Sequence, residues 1–238
     1  MDILITNDDG IASRGIIKLA KLAKAFGNVT VIAPKRQCSA MSQMITLRCD
    51  IKVEKEDFLV EGVKAYSITG TPADCIKVGI AYLKLKPDYV FSGINNGYNT
   101  GFDIAYSGTV AAGMEAVMNG IPAIAFSVEV DGEFDIIDGY LQDITKKLIE
   151  RQPLTDGIWN VNFPGSFIGE LKGIKWDMEI SRIQLYQDNY LEAKREKDCV
   201  EIYEKGIKLD IDRIPKDTDL RAVMEGYISV GKIKCMVL

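Results

Sequence analysis

The fold class is determined by residues 2–34, DILITNDDGIASRGIIKLAKLAKAFGNVTVIAP. Residues 2–6 are apolar and predict a short buried strand. Residues 14–26 place apolar side chains at helical spacing, with lysines on the opposite face, and predict an amphipathic helix. Residues 28–34 predict a second, β-branched strand. Strand, helix and strand in this order predict a right-handed βαβ unit in a parallel sheet.

The same alternation continues to about residue 150. Thr71 and Pro72 are typical of a helix start, with a capping hydroxyl followed by an N1 proline. The predicted strands are 64–70, 88–93 and 122–128, and the predicted helices are 73–84, 107–120 and 135–150. We therefore expect an α/β fold with a doubly wound, mostly parallel sheet.

The pattern changes after residue 165. Residues 175–215 alternate in hydropathy and carry many charges, which favours extended strands or a projecting hairpin. Residues 218–230 predict a short capped helix and a final strand. We therefore predict a catalytic core at 1–165 and a β-rich C-terminal extension at 166–238.

Composition excludes several kinds of chemistry. The chain has no histidine, so a Ser-His-Asp triad or a Cys-His pair cannot operate. A metal ion would need oxygen or thiolate ligands, and the five cysteines are scattered without a CxxC pair. Oxygen ligands are therefore expected, and they favour Mg²⁺, Mn²⁺ or Ca²⁺ over zinc.

Composition also bears on partners and location. The net charge is −5 and no long basic run occurs, so duplex nucleic acid is not an expected partner. No apolar run approaches the roughly 18 residues that cross a bilayer, and no signal peptide is evident, so no membrane association is expected. Scattered cysteines indicate reduced thiols, and we expect a cytoplasmic protein.

Polar clusters follow three of the predicted strands, where doubly wound sheets bind ligands. They are residues 7–10, 35–42 and 92–99. Asp8 and Asp9 are adjacent, and burying two like charges is costly unless a positive charge lies beside them. A divalent cation would supply that charge, with a hydroxyl and an amide carbonyl completing its oxygen ligands.

The candidate ligands are Asp8, Asp9, Ser39 and one of Asn95 and Asn96. The residues of each cluster also have ordinary structural interpretations. Acidic residues favour helix starts, and Asn-Gly sequences favour turns.

A second candidate site lies at Ser107, Gly108 and Thr109, which open a predicted helix. The hydroxyls and free N–H groups of such a start are suited to phosphate, although the serine also fits a plain helix cap. Other phosphate motifs are missing: no GxxxxGK[ST], no GxGxxG after a strand, and no arginine six positions after a cysteine. The DxDx[TV] pattern of aspartyl-phosphate enzymes is also absent after Asp8.

Five ordered blocks carry a family resemblance. They are ILITNDDG, VIAPKRQCSAMSQMITL, ITGTPADC, SGINNGYNTGFDIAYSGTVAAGMEA and TDLRAVMEGYISV. Together they resemble the SurE survival-protein family, over residue 3 to about residue 230. The resemblance implies a metal-dependent phosphatase that releases phosphate from nucleoside 5′- and 3′-monophosphates, and in some members from short polyphosphate.

The resemblance also implies a Rossmann-like core, a C-terminal extension exchanged between subunits of a homodimer or homotetramer, and one divalent metal ion per subunit, Mg²⁺ or Mn²⁺. It implies that Asp8 and Asp9 are catalytic and bind the metal. The implied further metal ligands are Ser39 and Asn95, and the candidate substrate-binding residues are Asn96, Ser107, Gly108 and Thr109.

Two positions depart from the family pattern. Ser39 is followed by Ala40 where the family usually has glycine. If that position has a positive φ, alanine there costs about 1 kcal/mol or shifts the loop. The chain also ends in SVGKIKCMVL instead of the usual SVTPL.

The expected reaction is metal-assisted hydrolysis. The cation neutralises phosphate oxygens and lowers the pKa of a water molecule that attacks phosphorus in line. One of the two aspartates is the available base, because the chain has no histidine. Two alternatives remain at this stage: an aspartyl-phosphate phosphatase with Asp8 as nucleophile, and a non-catalytic nucleotide-binding regulatory protein.

Overall fold

A computed structural model describes residues 1–130, 135–165, 171–186, 189–206, 209–235 and 237, with side chains of 135 and 136 excepted. The strands are β1 (Asp2–Thr6), β2 (Asn28–Pro34), β3 (Val53–Glu56), β4 (Lys64–Ile68), β5 (Tyr89–Asn96), β6 (Ala123–Val128), β7 (Gly157–Phe163), β8 (Ile174–Met178), β9 (Tyr190–Glu196), β10 (Cys199–Glu204) and β11 (Ile228–Lys234). The α-helices are α1 (Arg14–Ala23), α2 (Pro72–Lys77), α3 (Gly108–Met118), α4 (Asp135–Glu150) and α5 (Asp219–Met224).

Nine strands form one sheet in the order β3-β4-β2-β1-β5-β6-β7-β11-β8. The strands from β4 to β7 are parallel, while β3 and β11 run antiparallel to β4 and β7 respectively. The strand order reverses at β1. Strand β2 pairs with one edge of β1, and strand β5 pairs with its other edge. Ligands bind at such a reversal in open α/β sheets, beyond the carboxyl ends of the strands.

Two hydrophobic clusters cover the two faces of the sheet. Helices α1 and α4 bury their apolar faces in one cluster, and α2 and α3 bury theirs in the other. The predicted doubly wound α/β fold is therefore confirmed.

Helix starts follow the capping rules. The Thr71 hydroxyl accepts from Asp74 N, and the Asp74 carboxylate accepts from Thr71 N at 2.9 Å, which is a capping box before the N1 proline. Helix α1 ends earlier than predicted, at Ala23, because its last turn tightens ahead of Gly27. Helix α2 continues into a π-helical turn, Val78–Tyr82, within the range predicted as one helix.

The C-terminal part combines a predicted feature with an unpredicted one. A two-stranded antiparallel hairpin, β9 and β10, forms a separate sheet, as the alternating pattern indicated. Strands β8 and β11 instead extend the main sheet beyond β7, and β7 itself was not predicted. The predicted boundary at residue 165 adjoins residues 166–170, which lie outside the described ranges. Residues 236 and 238, in the C-terminal ending that differs from the family pattern, also lie outside them.

Candidate active site

The adjacent aspartates lie in a tight turn after β1. The Asn7 side chain closes this turn, because its Nδ2 donates to Gly10 O at 3.0 Å and to Ser13 Oγ at 2.8 Å. Gly10 N donates back to Asn7 Oδ1, and Gly10 has φ of +94°, a conformation that favours glycine. Ser13, and not either aspartate, caps α1. The helix-start interpretation of Asp8 and Asp9 is therefore wrong.

Asp8 is buried against the start of α3. Its side chain is only 3% exposed, and Thr109 Oγ1 donates to Asp8 Oδ1 at 2.8 Å. A Cβ atom added at Gly108 would lie 2.9 Å from Asp8 Cβ and 3.1 Å from Asp8 Oδ2. The glycine therefore makes room for the carboxylate, and the threonine orients it.

Asp9 is less buried and faces the end of β5. Asn96 N donates to Asp9 Oδ2 at 3.0 Å, which links the end of β1 to the end of the neighbouring strand. The two aspartates are thus fixed by separate partners on α3 and on β5.

The side-chain oxygens of Ser39 and Asn95 each retain lone pairs that could bind a metal ion. Asn95 Nδ2 donates to Gly97 O at 2.8 Å, and this orientation leaves Asn95 Oδ1 as the free atom of the amide. Ser39 is exposed, and its Oγ accepts from Gln37 Nε2 at 2.9 Å while retaining a second lone pair.

The pKa values of both aspartates are raised. Burial is the largest cause for Asp8, followed by the neighbouring charge of Asp9, and together they raise its pKa to about 6 in spite of the Thr109 hydrogen bond. Burial also raises the pKa of Asp9, against the hydrogen bonds from Asn96 and Gln37. The protein alone therefore disfavours two ionised carboxylates here, as expected for a site that is completed by a cation.

A cleft of about 330 Å³ opens beside Asp8, and Asp9 is not among its lining residues. Its volume is near the lower end of the usual range for small-molecule pockets. Most of its lining residues are polar or aromatic, and they include no lysine or arginine. They are Asp8, Ser39, Ala40, Asn95, Asn96, Gly97, Tyr98, Asn99, Asp103, Tyr106, Ser107, Gln184 and Tyr186. An anionic phosphate would therefore meet no basic side chain among the lining residues.

The donor atoms fit a hard divalent cation. Two carboxylates, one hydroxyl and one amide carbonyl are oxygen donors of the kind that Mg²⁺ and Mn²⁺ prefer. Within the described ranges, no group of three or more cysteine and acidic side chains is placed to hold a metal ion. A metal at this site would therefore rely on neutral oxygens and water as well as on Asp8 and Asp9.

The candidate phosphate-binding residues occupy different environments. Asn96 is exposed at the end of β5, and Ser107 lines the cleft while its Oγ accepts from Val110 N as the cap of α3. Thr109 is fully buried, and its hydroxyl is committed to Asp8. The Thr109 hydroxyl therefore holds Asp8, and a contact of Thr109 with phosphate stays a prediction.

Four cleft residues escaped the sequence analysis: Asp103, Tyr106, Gln184 and Tyr186. Asp103 and Tyr106 belong to a 3₁₀ turn, Gly101–Tyr106, which carries no chemical motif. Gln184 and Tyr186 follow β8, far from the other clusters in sequence. Only the topology brings them to the cleft, and no spacing in the sequence signals it.

Known proteins resemble this chain in sequence and in structure. The survival protein SurE family matches residues 3–184. A relative named 5′-nucleotidase SurE, from Thermoanaerobacter sp. (strain X514), is 42% identical over 98% of this chain and 92% of its own length. The chain belongs to the SurE family.

Another 5′-nucleotidase SurE, from Clostridium beijerinckii, is 41% identical over 97% of this chain and 91% of its own length. The crystal structure of the SurE protein from Aquifex aeolicus superposes with a TM-score of 0.80 at 33% identity. It covers 100% of this chain and 95% of that chain. The family assignment made from the five sequence blocks is confirmed.

Among the helices of the described ranges, none has the length and apolar character to span a bilayer. All five cysteines are free, and Cys38, Cys75 and Cys235 are buried.

Proposed function

We propose that this chain is a phosphatase that hydrolyses nucleoside 5′- and 3′-monophosphates with one divalent metal ion per subunit. One observation carries the proposal: two adjacent carboxylates, one of them almost fully buried, lie at the strand-order reversal of the sheet, and no basic side chain lines the cleft beside Asp8. The relatives named 5′-nucleotidase SurE support the nucleotidase activity. Short polyphosphate is a further substrate to test.

Asp8 and Asp9 hold the cation in this proposal, with Ser39 and Asn95 as additional oxygen ligands. A divalent cation, when bound there, supplies positive charge for the phosphate oxygens and lowers the pKa of a water molecule. Mg²⁺ and Mn²⁺ both match the donor set.

The chain's own residues then position the substrate and move a proton. One of the two aspartates accepts the proton of the attacking water, because no histidine is present. Asn96, Ser107 and the N–H of Gly108 hold the phosphate at the start of α3, where the helix dipole favours an anion. Thr109 fixes the Asp8 carboxylate through its 2.8 Å hydrogen bond.

The assembly is part of the same proposal. Residues 166–238 act as an oligomerisation extension of the core at 1–165, and a homodimer or homotetramer forms in the cytoplasm. The exposed side chains Tyr190, Ile202 and Tyr203 on the β9–β10 hairpin support such a contact.

A phosphate-release screen tests the activity. Nucleoside 5′- and 3′-monophosphates and short polyphosphate are each incubated with Mg²⁺, with Mn²⁺ and with a chelator. We expect release from the monophosphates only with metal. Nucleotide binding without release under every condition would contradict the proposal and favour a regulatory binding protein.

A rapid acid quench distinguishes the enzyme classes. With a nucleotide that carries a radioactive phosphate, direct attack by water leaves no label on the protein. Labelled protein that is lost in Asp8→Asn would instead identify Asp8 as a nucleophile.

A further inference from the structure

The part of the cleft that lies beyond the aspartates is built by two distant segments. The 3₁₀ turn Gly101–Tyr106 contributes Tyr106, and the segment after β8 contributes Gln184 and Tyr186. The proposed function assigns no role to these three side chains.

The buried carboxylate of Asp103 joins the two segments. Asp103 is 6% exposed, and its Oδ2 accepts from Leu185 N at 2.6 Å and from Tyr186 N at 3.3 Å. Phe102 N also donates to Ile183 O at 3.2 Å. The backbone that carries Tyr186 is thus attached to the turn that carries Tyr106.

Two further contacts hold the same segment. The Asp219 carboxylate, on α5, accepts from Ser181 N at 2.8 Å and from Gly101 N at 3.0 Å. Ile183 and Leu185 pack against a small apolar cluster. Tyr98, Ile214, Leu220 and Val223 form this cluster. The position of Tyr186 is therefore set by the hydrogen bond of its own N–H and by the hydrogen bonds and packing of the segment that precedes it.

The Tyr186 side chain reaches the polar end of the cleft. A Cβ atom added at Gly97 would lie 3.4 Å from the Tyr186 hydroxyl and 3.7 Å from Asn95 Nδ2. The Tyr186 hydroxyl is protonated at neutral pH, as any tyrosine with an ordinary or raised pKa is, and is available as a donor. The Tyr186 hydroxyl therefore lies near Gly97 and the side chain of Asn95, which is a proposed metal ligand.

Both tyrosines keep large exposed surfaces at the cleft. Tyr106 is 53% exposed and Tyr186 is 50% exposed, and within the described part of the chain no other aromatic ring pairs with either one. An exposed aromatic face beside a phosphate site is suited to a nucleobase, because stacking contributes about 1–3 kcal/mol per base.

We propose that Tyr186, held over the cleft by Asp103, stacks with Tyr106 against the base of a nucleoside monophosphate and makes the enzyme prefer nucleotides to phosphomonoesters without a base. Tyr186 and Tyr106 contact the substrate, and Asp103 is a positioning residue. The inference rests on the proposed phosphatase function and adds the determinant of its substrate class.

Two substrates separate base recognition from phosphate chemistry: adenosine 5′-monophosphate and ribose 5-phosphate, in which a hydroxyl stands at C1 in place of the base. For Tyr186→Ala we expect kcat/KM for the nucleotide to fall by about tenfold, mainly through KM, and by at least about fivefold more than for ribose 5-phosphate. Tyr186→Phe keeps the ring and should retain most of the preference. Tyr82→Ala, which removes a tyrosine that is 69% exposed outside the cleft, is the matched control.

The positioning role has its own readout. Asp103→Ala should reproduce the nucleotide-specific rise in KM, while Asp103→Asn retains an oxygen acceptor and should rescue it. Equal losses on the two substrates in both Asp103 variants would indicate a structural effect alone and would contradict this role.

Calorimetric binding of the same two ligands distinguishes a failure of base recognition from a failure of the phosphatase proposal. If the wild-type protein binds the nucleotide more tightly than ribose 5-phosphate and Tyr186→Ala removes the difference, the inference holds even if no phosphate is released. A wild-type enzyme with equal affinity and equal kcat/KM for the two ligands, or a Tyr186→Ala variant that keeps the full preference, would overturn it.

Discussion

Thr109 Oγ1 donates a 2.8 Å hydrogen bond to Asp8 Oδ1 and thereby joins the first turn of α3 to the end of β1. Both side chains are buried, with Thr109 fully enclosed and Asp8 3% exposed. A hydrogen bond to the ionised form lowers the pKa of a carboxylate, and here it opposes the effects of burial and of Asp9. The threonine therefore keeps Asp8 oriented and favours the charged form that a metal ion needs.

Thr109→Val removes this donor and keeps the side-chain shape. We expect the affinity for Mn²⁺ to fall by about 10–100-fold, the usual effect of losing a hydrogen-bond partner of a metal ligand. Metal titrations of phosphate release measure it. Thr145→Val is the control, because the buried Thr145 hydroxyl donates to Leu141 O within α4. Unchanged affinity in Thr109→Val would argue against the orienting role.

Gly108→Ala tests the space around Asp8. The added Cβ would lie 2.9 Å from Asp8 Cβ and 3.1 Å from Pro72 Cγ. We expect phosphate release to fall by about a hundredfold and the free energy of unfolding to fall by about 1–3 kcal/mol, because the site is overpacked.

The matched control for this variant is Gly139→Ala. A Cβ at Gly139, on α4, meets nothing within 4 Å, and the helix should gain about 0.5–1 kcal/mol with no change in activity. Near-normal activity in Gly108→Ala would show that the Asp8 position tolerates displacement.

The raised pKa of Asp8 makes the stability of the metal-free protein depend on pH. The folded-state pKa of about 6 lies above the ordinary value of 3.8, so between these values the folded state binds more protons than the unfolded chain. Stability contributed by the protonated form is present below pH 4 and is lost as pH rises through 6. The shift corresponds to about 3 kcal/mol.

Asp8→Asn removes the ionisable group, so the variant should not lose folding stability as the pH rises through 6. In chelator at pH 8, denaturant unfolding should show the variant to be more stable than the wild type by about 3 kcal/mol, with the difference vanishing near pH 4. Equal pH profiles for the two proteins would contradict the account of the buried carboxylate.

Ala40 has φ of +56°, the left-handed conformation that was expected if the family glycine is needed there. Ala40→Gly should therefore stabilise the protein by about 1 kcal/mol, since the strain of a Cβ in this region is relieved. Ala25→Gly is a control in an exposed turn without a positive φ, and it should destabilise slightly. Thermal unfolding of the two variants decides whether the strain at residue 40 is real.

Local patterns were sufficient for the central part of the fold. Strand β2 and helix α4 match their predicted ranges, because β-branched runs and a long apolar periodicity are local signals. The pairing of strands β8 and β11 with the main sheet was not predicted, because pairing between distant strands leaves no local pattern. Their addition to the edge beyond β7 depends on tertiary contacts.

The site shows the same division. The sequence singles out Asp8 and Asp9 because two adjacent acids after a buried strand need a compensating charge, and their role as metal ligands stays a prediction. The hydrogen bond from the Thr109 hydroxyl to Asp8 was not predicted, because it joins residues 101 positions apart in the sequence. Tyr186 had no signal in the sequence, because contacts between distant segments bring it to the cleft, among them the hydrogen bonds from Leu185 N and Tyr186 N to Asp103.

We propose above all that a divalent cation held by Asp8 and Asp9 enables this site to hydrolyse phosphate esters. The most direct measurement is calorimetric Mn²⁺ binding, paired with phosphate release from adenosine 5′-monophosphate, for the wild type, Asp8→Asn and Asp9→Asn. We predict one ion per subunit in the wild type, with binding and release lost together by about a hundredfold or more in each variant. Phosphate release that persists at near-normal rates in either variant, or in the wild type with chelator, would contradict the claim.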